Sequence, residues 1–179
     1  MDDVSRQYIS DSIRTIPDFP KKGIMFHDVT TLLLDPKAFQ LSVDDFAARY
    51  KDKNIDVVAG FEARGFIFGA PLALQLNCAF VPLRKPGKLP GETIGASYKL
   101  EYGEDRIEMH AGAITEGQRV LLLDDLIATG GTLAAGIKLM KQVKAEIVEC
   151  ACVIELPDLK GSDKLDGLPL YVQVQKEGD

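Results

Sequence analysis

The chain has 179 residues, 46% hydrophobic and 27% charged, with a net charge of −6. That length suits one domain over residues 1–179 with a real core, and no segment approaches the roughly 18 to 20 consecutive apolar residues that a membrane span requires. The acidic balance argues against a nucleic-acid partner held by phosphate neutralisation, so a phosphate recognised here should belong to a small molecule.

The opening MDDVSRQYIS lacks the basic and apolar regions of a secretory or transit leader, which sets a cytoplasmic expectation. Val4, Tyr8, Ile9, Ile13 and Ile16 recur at helical spacing, predicting one amphipathic helix stopped by Pro17. PDFPKKGIMFHD then breaks regular structure. Asp35-Pro36 starts a second helix, and the stripe Phe39, Val43, Phe46, Ala47 and Tyr50 carries it to about Tyr50.

Beyond Lys51 to Asn54 the pattern changes to short apolar runs, Ile55 to Ala59, Ala79 to Leu83, Val120 to Leu123 and Ile147 to Ile154, which read as buried strands. Phe66 to Leu76, despite Pro71, and Thr132 to Val143 have helical length and composition. Strand, helix, strand order predicts an α/β fold: an open, mostly parallel sheet flanked by helices. Tyr98 to His110 reads as a hairpin around Gly103, Glu104 and Asp105, projecting as a mobile flap over about residues 93–112, and Tyr171 to Val174 as a last strand. Cys78, Cys150 and Cys152 lie in apolar stretches and, with two histidines elsewhere, make no recognisable metal cluster, so they read as reduced core residues.

VLLLDDLIATGGT, Val120 to Thr132, carries the chemistry. Four aliphatics without alternation suit a strand covered on both faces, and Asp124 and Asp125 end it where ligands bind in open α/β sheets. Thr129, Gly130, Gly131 and Thr132 lead into a helix; glycines let backbone N–H groups approach an anion, hydroxyls add donors and the helix N-terminus adds partial positive charge. Neither GxxxxGK[ST] nor GxGxxG is present. The aspartates cannot attract a phosphate, so they should face neutral hydroxyls or a hydrated cation while the turn takes the phosphate. A sugar phosphate with free vicinal hydroxyls matches that division. A plain strand end followed by a helix-capping turn is the alternative.

Two further segments reach the same sheet edge. Arg84, Lys85 and Lys88 in RKPGKLPG follow a predicted strand and suit either a pyrophosphate or a solvated loop. Arg64 in Glu62-Ala63-Arg64-Gly65 suits an anion or an ordinary salt bridge.

VLLLDDLIATGGT resembles the phosphoribosyl pyrophosphate (PRPP) motif of type I phosphoribosyltransferases. IPDFPKKGIMFHDVT, GFEARGFIFG, RKPGKLPG, ASYKLEYG and ELPDLKG, in that order, make nearly the whole chain similar to the adenine phosphoribosyltransferase family. The resemblance implies the type I fold, with a small hood from the N-terminal loop and C-terminal segment, Mg2+ held through PRPP and water without a direct protein ligand, and a homodimer. It implies ribose and 5-phosphate contacts from Asp124, Asp125, Ala128, Thr129, Gly130, Gly131 and Thr132, and diphosphate contacts from Arg64, Arg84, Lys85, Lys88 and Tyr102. Glu101 becomes the candidate acid/base residue, closing over the site with the flap. Met25, Phe26 and His27 become the adenine site, with Phe26 stacking on the base; His27 stands where the family's arginine is expected. Another base, or a PRPP-sensing regulator without catalysis, are the competing readings. Adenine and PRPP are the expected partners, with no nucleic acid and no membrane.

Overall fold

The computed structural model describes residues 1–99 and 104–178. In chain order the elements are α1 (Asp3–Ser12), β1 (Arg14–Ile16), β2 (Phe26–Asp28), α2 (Thr30–Leu34), α3 (Pro36–Tyr50), β3 (Val57–Phe61), α4 (Arg64–Leu76) and β4 (Ala79–Leu83). They continue as β5 (Thr93–Lys99), β6 (Glu104–His110), β7 (Arg119–Ile127), α5 (Gly131–Gln142), β8 (Glu146–Glu155) and β9 (Leu170–Gln175).

Five parallel strands form the central sheet in the order β4-β3-β7-β8-β9. Strand residues alternate between its two faces, so one strand feeds two cores. Leu122 joins α5, through Leu133, Ile137 and Met140, and the β5–β6 ribbon. Leu121 and Leu123 join the other layer, with Ile9 of α1, Leu32 of α2, Phe46 of α3 and Phe68 of α4. The chain leaves β3 through α4 towards one edge and leaves β7 through α5 towards the other. The order therefore reverses between β3 and β7, where α/β sheets open a ligand crevice.

The open parallel α/β architecture matches expectation, but several boundaries differ. The first helix ends at Ser12 rather than Ile16, because Arg14–Ile16 pairs antiparallel with Phe26–Asp28. This ribbon overrides the helical spacing and puts a strand inside the segment read as irregular. The missed α2 starts where the Asp28 carboxylate accepts the Thr30 N–H at 2.9 Å and the Thr30 hydroxyl at 2.6 Å. α4 runs unbroken through Pro71. The β7 strand does not stop at Leu123 but includes both aspartates, held by register with β8 as far as Ile127↔Glu155. The hairpin arms fall within the expected bounds but do not simply project. Ala96, Tyr98, Ile107 and Met109 are buried in the core beside α5.

Candidate active site

The site grows from an asymmetry in β7. Its pairing with β3 ends at Gly60↔Leu123, whereas its pairing with β8 continues four residues further, to Ile127. Asp124 and Asp125 thus lie in regular strand with one edge open, yet both are buried, at 8% and 6% exposure. Asp124 Oδ1 accepts the Asp125 N–H at 2.8 Å. Burial, reinforced by the neighbouring Asp125 charge, pushes the Asp124 carboxyl well above the ordinary carboxylate range. Arg64 Nε donates to Asp125 Oδ2 at 2.5 Å. Burial pulls the guanidinium down, but the charges of Asp125, Asp124 and Asp28 outweigh it and hold Arg64 protonated.

Gly65 brings α4 to this edge: a Cβ there would lie 3.0 Å from the Leu123 carbonyl oxygen and 3.3 Å from Asp124 Oδ1. The Glu62–Ala63 peptide just before α4 is cis. Glu62 Oε1 accepts the Lys85 N–H at 2.5 Å and faces the Arg84 Nε at 3.3 Å, tying the two basic loops together.

After β7, Gly130 turns the chain with φ of 79° and caps α5 without a side chain. The first-turn N–H groups of α5 border the cavity as donors with a partial positive charge behind them. A Cβ on Gly130 would sit 2.2 Å from the Gly161 carbonyl oxygen, and one on Gly161 2.3 Å from that of Ala128. The two glycines interlock, so the DLKG turn buttresses the 128–132 turn from behind.

A 280 Å³ cavity gathers Arg64, Lys85, Asp124, Asp125 and the whole turn Ala128–Thr132, with Glu62 on its wall. Cations and uncapped N–H groups can take anionic oxygens, and the carboxylates can accept from hydroxyls. Lys85 Nζ donates to the Tyr98 hydroxyl at 2.8 Å and pairs with Asp105, anchoring this cation to the β5–β6 ribbon. Tyr98 donates its own hydroxyl proton to Asp105 at 2.8 Å.

Other expected residues stand apart from that cavity. Arg84 turns to Glu62 and the Phe66 ring, 5.7 Å from its centroid, and Lys88 is exposed. Phe26 reaches the site's border through Arg64, whose guanidinium lies 5.7 Å from its ring centroid. Met25 and His27 line a separate surface cleft beside Glu177. Glu101 and Tyr102 lie outside the described residues, in the link between Lys99 and Glu104, which pair across the ribbon.

The phosphoribosyl transferase domain family matches residues 30–175. Adenine phosphoribosyltransferase 4 of Arabidopsis thaliana is 64% identical over 93% of this chain and 92% of its own length. The adenine phosphoribosyltransferase of Thermoanaerobacter pseudethanolicus superposes with a TM-score of 0.92 at 47% identity, over 96% of this chain and 99% of that one. This chain belongs to the adenine phosphoribosyltransferase family.

A further solved adenine phosphoribosyltransferase, from Saccharomyces cerevisiae, is complexed with an imino-altritol bisphosphate and adenine; it has a TM-score of 0.91 and 40% identity, over 96% of this chain and 99% of that one. Against this family background, Glu62, Gly65, Gly161 and the Tyr98–Asp105 pair are the site-building residues that sequence reasoning missed. Gly65 and Gly161 sit inside EARG and DLKG, within segments that carry the family resemblance, and a glycine beside a functional motif was the available signal. Nothing local marks Tyr98 or Asp105, because their partner Lys85 is supplied by another loop.

Proposed function

We propose that the chain transfers ribose 5-phosphate from PRPP to adenine, releasing pyrophosphate and forming AMP. The observation that carries this reading is the single cavity that joins the Asp124–Asp125 pair, the 128–132 turn and the cations Arg64 and Lys85 at the sheet's switch point. In this assignment Ala128 to Thr132 hold the 5-phosphate and the two aspartates accept from the ribose hydroxyls. Arg64 and Lys85 meet the diphosphate at the cavity, with Arg84, Lys88 and Tyr102 assigned to the same group by kinship.

Bond breaking at C1 gives the sugar oxocarbenium character, which the negative charge of the nearby aspartate pair stabilises, while the cations stabilise the departing diphosphate. An incoming diphosphate competes with Asp125 for Arg64, so binding exchanges one ion pair for another. The hard carboxylate oxygens at the ribose edge suit Mg2+, which would enter on PRPP, largely hydrated, and neutralise diphosphate charge. Adenine is assigned to the Met25–His27 strand, with Phe26 as its platform, and Glu101 to proton transfer from the purine.

Free Cys78, Cys150 and Cys152 support a reducing, cytoplasmic setting. Burial pushes the Cys150 thiol to about 12 and Cys152 well upward, so neither is a reactive thiolate. Assembly as a homodimer is assigned by kinship with the family. The proposed reaction is tested by offering adenine, hypoxanthine, guanine and xanthine separately with PRPP and Mg2+. AMP and pyrophosphate from adenine are expected; IMP or GMP without AMP overturns the adenine assignment, and PRPP binding without turnover favours a regulator.

A further inference from the structure

β2 is a three-residue strand, so its side chains alternate: Phe26 and Asp28 share one face and His27 takes the other. Phe26 packs edge-on against Phe19, with ring centroids 5.0 Å apart, and lies beneath the Arg64 guanidinium. His27 points away from it and is 7% exposed. Its Nε2 lies 2.8 Å from the Glu177 carbonyl oxygen and its Nδ1 3.1 Å from the Thr15 hydroxyl. A carbonyl can only accept, so Nε2 carries the proton; the neutral ring is then satisfied when the Thr15 hydroxyl donates to Nδ1. Thr15 is the residue paired with His27 across the β1–β2 ribbon. Glu177 belongs to the segment after β9, held to the body by the Lys176 N–H on the Glu155 carbonyl oxygen at 3.0 Å and by Lys176 Nζ on the Ser10 carbonyl oxygen, also at 3.0 Å.

We infer that His27 is a positioning residue for the base site: it does not read adenine with its side chain but clamps the strand carrying Phe26 between β1 and the C-terminal segment. Two hydrogen bonds on opposite ring nitrogens fix the strand's depth and rotation, and through it the plane of the Phe26 ring. This rests on the assignment of Phe26 as the base platform, and it separates the imidazole from the chemistry at C1. An amide side chain offers the same pair of functions, a donor for the Glu177 carbonyl and an acceptor for the Thr15 hydroxyl. His27→Gln should therefore retain what His27→Ala loses.

Steady-state kinetics with adenine and PRPP varied in turn test this on His27→Ala, His27→Gln, Phe26→Ala and the His27→Ala/Phe26→Ala double variant, with melting temperatures recorded for each. His27→Ala is expected to raise KM for adenine roughly five- to tenfold, the worth of one or two hydrogen bonds, with KM for PRPP changed less than about twofold. His27→Gln should recover most of the loss, and His27→Ala should add little once Phe26 is truncated. An adenine KM that responds to Phe26→Ala but not to His27→Ala overturns the positioning role. Equal loss for both substrates in His27→Ala, with a lowered melting temperature and no recovery in His27→Gln, also overturns it in favour of a purely structural role. An adenine KM insensitive to Phe26→Ala instead removes the platform assignment beneath it.

Discussion

Arg64 Nε donates to Asp125 Oδ2 at 2.5 Å, placing a cation assigned to the diphosphate on a carboxylate assigned to the ribose. The pair joins the N-terminus of α4 to the open edge of β7, so one ion pair spans the switch point between the two halves of the sheet. Arg64→Gln should raise KM for PRPP by at least about tenfold, since a charge-assisted contact to the diphosphate is worth on the order of 1.5–3 kcal/mol. Its effect on folding should be modest, on the order of 1–2 kcal/mol: the Arg64 side chain is 45% exposed and screened by water, but Asp125 is buried, and glutamine leaves it only a neutral donor. Initial rates and urea unfolding of the same variant check both expectations.

Asp124 is stabilised as the neutral acid by burial and by the Asp125 charge. Because its folded pKa is raised, the unfolded chain gives up this proton at lower pH than the folded one, and stability falls as pH rises above the ordinary value of 3.8. Asp124→Asn removes that penalty and keeps an acceptor for the Asp125 N–H. The variant should melt several degrees higher than the parent near neutral pH, and the gain should vanish as pH falls below the ordinary carboxylate value. Turnover should drop, since an amide replaces one of the two carboxyl groups assigned to the ribose hydroxyls. Thermal melts across pH, paired with rates, test the sign.

Gly130 combines a left-handed backbone with a close backbone neighbour, whereas Gly117 has φ of 82° and open space, with nothing within 4 Å of where a Cβ would stand. Gly117→Ala should cost about 1–2 kcal/mol from backbone strain alone and leave turnover unchanged. Gly130→Ala should cost more, because its Cβ would meet the Gly161 carbonyl oxygen, and should sharply weaken PRPP binding by displacing the turn. Chemical denaturation and PRPP titration of the two variants separate strain from site geometry.

Glu101→Gln should lower kcat more than it changes PRPP affinity, as expected of a group assigned to proton transfer in the transition state. Single-turnover rates and PRPP binding measured together decide it; an unchanged kcat removes Glu101 from the mechanism.

Much of this was legible in the sequence, for physical reasons. Strands buried on both faces, such as Val120 to Leu123, write themselves as unbroken aliphatic runs, and the Asp35-Pro36 start of α3 is local chemistry, with the Asp35 carboxylate accepting the Lys37 and Ala38 N–H groups. The TGGT turn was equally local. What escaped depended on partners distant in sequence. Arg14–Ile16 reads as helix until Phe26–Asp28 pairs with it, and the hairpin arms read as a free flap until their inner residues meet α5. Arg84 and Lys85 are neighbours in one loop, yet Glu62 turns one aside while Tyr98 and Asp105 hold the other at the cavity. The His27 side chain took its place from Glu177, 150 residues away.

A crystal structure with AMP bound would show how Val120–Thr132 divides its labour between phosphate and ribose. The 5′-phosphate is expected in the Ala128–Thr132 turn, accepting from its backbone N–H groups, with the ribose hydroxyls donating to Asp124 and Asp125. A phosphate seated instead among Arg64 and Lys85, with the ribose turned away from the two carboxylates, would contradict it.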